Sequence, residues 1–161
     1  MENKFQKMLE QASDLAEDQE FEEALILYDK ILKSDPKNIS AILDKAATLQ
    51  RMGKNSQSFQ LYNSVLNEDP KNLDALIGKG TLLHAKSKFI DAIQCYDVAL
   101  KLKPRFAMAL AYKGMSLGEL GKFNDALSCF KKALVIDKDY DLANMGKQKA
   151  LELLKSKKSK K

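Results

Sequence analysis

Tryptophan is absent from this 161-residue chain, which holds one His, two Cys and three Pro. Each scarcity narrows the chemistry. With His84 the sole imidazole, any His-based mechanism rests on one residue, and a groove-lining or satisfied surface His is the expected role. Two Cys and one His are too few for a structural zinc site. No apolar run approaches the roughly 20 residues needed to cross a bilayer, so no membrane insertion is expected. Residues 1–6 show no basic stretch leading into an apolar segment, so no secretory signal and a cytoplasmic address are expected. Gly121-Lys122 looks like the end of a phosphate loop, but Ser116 stands where Gly is needed and Phe123 where Ser or Thr is needed. No catalytic residue, metal or cofactor follows from these residues, and no enzyme activity is expected.

Charge is unevenly placed. The net +5 comes from the C-terminal stretch, since residues 155–161 read KSKKSKK; residues 1–154 hold 22 basic and 22 acidic side chains. A nucleic-acid binder spreads Lys and Arg over a face. Here the basic run has no aromatic residue for base stacking. It offers only weak, salt-sensitive attraction to an anionic partner.

The prolines themselves carry the strongest signal. Pro36, Pro70 and Pro104 are spaced by 34 residues and divide the chain into repeats 5–38, 39–72, 73–106 and 107–140. Further columns keep this phase. Place 8 is Ala12, Ala46, Gly80, Gly114; place 11 is Leu15, Leu49, Leu83, Leu117. Place 20 is Ala24, Ser58, Ala92, Ala126; place 24 is Tyr28, Tyr62, Tyr96, Phe130; place 28 is Leu32, Leu66, Leu100, Leu134. Places 4, 8 and 11 make one helical stripe, and places 20, 24, 27 and 28 make another. Between them lies a break such as Met52-Gly53-Lys54 or Leu120-Gly121-Lys122, where Gly suits a left-handed helix end. The closing Pro cannot continue a helix and pushes the residue before it towards extended geometry. Each repeat is therefore helix, turn, helix, stop. Small places 8 and 20 allow close approach of the paired helices.

This pattern resembles the tetratricopeptide repeat over residues 5–140. Repeats three and four fit best; Gln11, Gln19 and Asn55 depart from the pattern. The resemblance implies an all-α chain, a right-handed α-solenoid of antiparallel helix pairs stabilised by stacking neighbours. After Tyr140 the phase dissolves. Residues 141–156 keep an amphipathic pattern fit for a capping helix, and disorder is expected beyond Lys155, with 157–161 a basic tail. Cys95 and Cys129 both occupy place 23, on equivalent helices about 8–10 Å apart. That is too far for a disulfide without movement, so both are read as reduced packing residues.

The resemblance also implies that first helices line a concave face. The candidate peptide groove is then Leu9, Leu43, Ala47, Ile77, Thr81, His84, Met108, Ala111, Tyr112 and Met115, with Ser13, Asp44 and Asp74 beside them. Such a surface suits an extended peptide or amphipathic helix, and Met adapts to more than one partner shape. Leu43 and Ile77 also fit plain packing between repeats. The family's clamp for the acidic C-terminus of heat-shock chaperones needs cations, but the matching places hold Leu9, Ser13, Asp44, Asp74 and Gly78. No such clamp is expected. Lys45, Lys79 and Lys113 recur at place 7, either as a basic ladder or as alkyl stems covering the helix pair. The expected function is a non-catalytic protein-interaction scaffold. A self-assembling, homo-oligomeric module and weak anionic-partner or nucleic-acid association through the Lys-rich end stay as alternatives.

Overall fold

The computed structural model describes residues 2–158. The chain divides into two compact units, Met1–Gly78 and Lys79–Lys161. The first holds α1 (Glu2–Glu17), α2 (Phe21–Ser34), α3 (Ile39–Arg51), α4 (Asn55–Glu68) and the start of α5 (Leu73–Ala85). The second holds the rest of α5, α6 (Phe89–Leu102), α7 (Ala107–Glu119), α8 (Phe123–Ile136) and α9 (Asp141–Lys158). Among the described residues the elements are all helices: four pairs and one more.

The four turns inside the pairs are built alike. Place 15 has positive φ in every repeat: Gln19 67°, Gly53 75°, Ser87 58° and Gly121 73°. The next residue's N–H then donates to the place-11 Leu carbonyl, as Glu20 to Leu15 (2.8 Å), Lys54 to Leu49 (2.8 Å), Lys88 to Leu83 (2.9 Å) and Lys122 to Leu117 (2.9 Å). This bond caps otherwise orphaned carbonyls at the helix end.

The stops between pairs are equally regular. Asp35, Asp69 and Lys103, each before a Pro, have φ of −137°, −131° and −135°. Asp137 precedes Lys138 yet has φ −138°. The extended residue belongs to the repeat geometry, and Pro reinforces it. Asn38 and Asn72 then cap the following helices, their side chains accepting from Ala41 N–H and Ala75 N–H at 3.0 Å.

In the first unit α1 packs on α2, α2 on α3 and α3 on α4. Ala12, Ala24, Tyr28, Ile31, Ala46 and Val65 are buried there. Ser58, in an otherwise Ala column, is buried with its hydroxyl donating to the Ala46 carbonyl at 2.7 Å. In the second unit α6, α7, α8 and α9 pack in succession around Tyr96, Ala111, Phe130, Ala133 and Ala143. The place-24 ring does most to join layers. Phe130 lies between Gly114 of its own repeat and Gly146 of α9, and a Cβ on Gly114 would approach its Cε1 to 2.8 Å. Tyr62 presses on Gly78, and Tyr96 stacks on Tyr112 with ring centroids 6.0 Å apart.

One boundary differs from expectation. The structure carries α9 to Lys158, past the expected end of the capping helix at 156, and places Lys157 Nζ 4.7 Å from the centre of the Phe123 ring. That cation–π contact holds the last turn against α8. Residues 159–161 of the expected tail lie outside the described residues.

Candidate functional site

On the first unit, the first-helix faces enclose a concavity of about 430 Å³. Leu9, Leu43 and Ala47 meet in it, with Ser13, Asp44 and Asp74. The structure adds Gln6 and Ser40, from the column of Asp74 and Met108, Glu10, from the column of Asp44 and Tyr112, and Tyr62. Tyr62 comes from a second helix, where place 24 reads as packing. Its hydroxyl nevertheless reaches towards Gln50 Oε1 (3.5 Å), and burial pushes its pKa up to about 12. A phenol in a column that tolerates Phe was the signal. Among the described residues, Glu10, Asp44 and Asp74 line this concavity and no Lys or Arg does. Asp44 is held above the usual carboxylate range, first by burial and then by the neighbouring Asp74 charge. Ile77 is 7% exposed and contributes mainly to packing.

On the second unit, Thr81 and His84 are half-buried on α5. His84 Nδ1 is 2.9 Å from Ser116 Oγ, and its ring meets Phe89 edge-on with centroids 5.1 Å apart. Burial lowers its pKa, while Glu119 opposes that shift. A Ser–His pair invites a catalytic reading, but Ser116 is fully buried and out of a substrate's reach. Met108, Tyr112 and Met115 form a stripe along α7 with spacing i, i+4, i+7. Ala111, on the same helix, has no exposed surface and is removed from the candidate contacts, because it packs in the core with α8 and α9.

Met115 leads into a concavity of about 510 Å³ between α7 and α9, walled by Gly118, Phe123, Leu142, Met145 and Leu153. The lost phase after Tyr140 suggested only a cap, so this wall was not foreseen. Gly146, in the same phase as Gly78, was the available sign that α9 continues the layered packing.

The remaining candidates are structural. Lys45 pairs with Asp29 (2.5 Å) and Lys113 with Asp97 (2.6 Å), all partly exposed, so two rungs of the Lys series tie first helices to preceding second helices. Cys95 and Cys129 are unpaired thiols, and burial raises the pKa of both. Among the described residues no three His, Cys, Asp or Glu side chains converge as a metal site needs, and no helix is long and apolar enough to cross a membrane.

Comparison with known proteins agrees with this architecture. Residues 7–105 match the family described as Psidin, N-terminal TPR repeats region, and residues 109–140 match the tetratricopeptide repeat. Curated protein sequences give no match. A thermophilic TPR protein of Thermus thermophilus is similar in fold, with TM-score 0.80 and 20% identity, covering 92% of this chain and 87% of its own. The MamA protein has TM-score 0.72 and 19% identity, covering 96% of this chain and 90% of its own. The first TPR domain of human RPAP3 has TM-score 0.71 and 19% identity, covering 77% of this chain and 98% of its own. With the repeat columns, the shared turns and the family match over residues 7–105, the chain belongs to the tetratricopeptide-repeat family, an all-α fold of the α-solenoid type.

Proposed function

We propose that the chain is a non-catalytic scaffold that docks a peptide or amphipathic helix on its first-helix faces. The observation that carries this reading is the apolar concavity between α7 and α9. Met115, Leu142 and Leu153 line it, and Met145 stands at its edge 68% exposed. Flexible thioethers around a preformed hollow suit the apolar anchors of a helix or extended segment. On the first unit, Asp44, Asp74 and Glu10 disfavour a carboxylate-bearing partner such as a chaperone C-terminus. No catalytic role is assigned, since the one imidazole is engaged with a buried hydroxyl.

The test is selection of binding peptides from a displayed library, followed by titration against a double variant, Met115→Glu with Met145→Glu. The variant keeps its helical spectrum and loses the selected peptides by about 100-fold or more, an effect of hot-spot size. Peptides that still bind both charges would remove this face as the site.

A further inference from the structure

Opposite charges are segregated between the two units. Residues 1–78 hold fourteen acids against nine Lys and Arg, whereas residues 79–161 hold eight acids against eighteen. The units are therefore −5 and +10. The contrast is sharper locally. Residues 8–29 carry eight acids and no Lys or Arg, and residues 98–118 carry four cations and no acid. The balance of 22 against 22 over residues 1–154 conceals this division.

On the second unit, the basic side has shape as well as charge. A groove of about 540 Å³ runs between the end of α6 and the end of α8, floored by Leu100, Leu110 and Ile136. Val135 stands in it 76% exposed. Its rim carries Lys101, Arg105 and Lys132, and its one acid, Asp97, is taken by Lys113. A polyanion would use the rim and leave the apolar floor wet; an acidic helix with an exposed apolar residue uses both.

The first unit presents such a helix. On α2, Glu22 and Glu23 are exposed one turn before Ile26, which is itself 55% exposed. We infer that the α6–α8 groove of one copy receives the α2 face of a second copy, Ile26 entering beside Val135 and Glu22 and Glu23 facing Lys101, Arg105 and Lys132. This face is separate from the α7–α9 concavity and stands without the peptide-docking proposal. The contact is heterologous: a pair still has one free acidic face on one copy and one free basic groove on the other, so association continues beyond a dimer. Complementary fields speed the encounter and make it depend on salt.

Sedimentation equilibrium over a concentration series tests the pairing. In low salt the average mass rises with concentration past that of a dimer; in salt near 0.5 M, where the Debye length drops to about 4 Å, it returns to the monomer. The groove variant Lys101→Glu, Arg105→Glu, Lys132→Glu and the helix variant Glu22→Lys, Glu23→Lys each associate about tenfold or more weakly than wild type. Mixing the two variants restores association, since the intact α2 face of the first meets the intact groove of the second. Circular dichroism checks that both variants stay helical. A wild-type chain that remains monomeric in low salt overturns the proposal. So do assembly that persists in either variant and a mixture that stays monomeric, and so does a monomer that binds an acidic helical peptide in this groove, which would give the groove another occupant.

Discussion

Gly80 lies directly against the ring of Tyr96: a Cβ added there would stand 2.9 Å from Cζ and nearer still to the ring edge. The small residue at place 8 and the ring at place 24 form one joint, made within a single repeat. Gly80→Leu forces that joint apart and costs about 1–3 kcal/mol. Urea unfolding measures it; an unchanged midpoint would mean that the two helices can separate freely at this point.

The left-handed turns provide a gain instead of a loss. Gln19 and Ser87 adopt the φ that Gly53 and Gly121 adopt in the sister turns. A side chain pays for that conformation with a steric penalty that Gly escapes. Gln19→Gly and Ser87→Gly each stabilise by about 0.5–1 kcal/mol, read as higher melting temperatures.

Hydroxyls in the place-24 column differ in their partners. Tyr28 is hydrogen-bonded to Thr48, whereas the buried Tyr96 hydroxyl has no partner among the described residues. Tyr28→Phe therefore loses about 1 kcal/mol, while Tyr96→Phe is neutral or stabilising, as relief of an unsatisfied buried group should be. Parallel denaturant titrations of the two variants make the comparison; equal losses would contradict it.

Two groups give pH dependence of opposite sign. Asp44 has its folded pKa raised above the ordinary 3.8, so the folded state binds the proton more readily and ionised Asp44 costs stability at neutral pH. Asp44→Asn is more stable than wild type at pH 7, and the gap closes as pH falls through the folded pKa. His84 has its folded pKa lowered below 6.5, so its contribution is complete above that pH and is lost as pH falls. His84→Gln flattens this acid-side loss. Unfolding midpoints across the pH range read both effects.

Much of the fold was legible because its determinants are local or one repeat away. A turn needing φ above zero, a Leu carbonyl needing a cap, and a ring needing a small neighbour all recur with the 34-residue period. The site was less legible. Place numbering assigned Ala111 and Ile77 to a surface, but contact with neighbouring side chains buries both. It also left Tyr62 out, because helical spacing gives the side of a helix a residue occupies and not how far a long side chain reaches.

The sequence by itself determined the helix pairs, their turns and stops, and the ring-against-small-residue joints, since these depend on backbone preference and nearest-neighbour packing. Only the tertiary structure decided which first-helix residues keep a face to offer. It also made the capping helix α9 a wall beside Met115, and brought Lys101, Arg105, Lys132 and Val135 to one groove. Those outcomes depend on side chains far apart in the chain, whose burial and spacing follow from packing and not from any period.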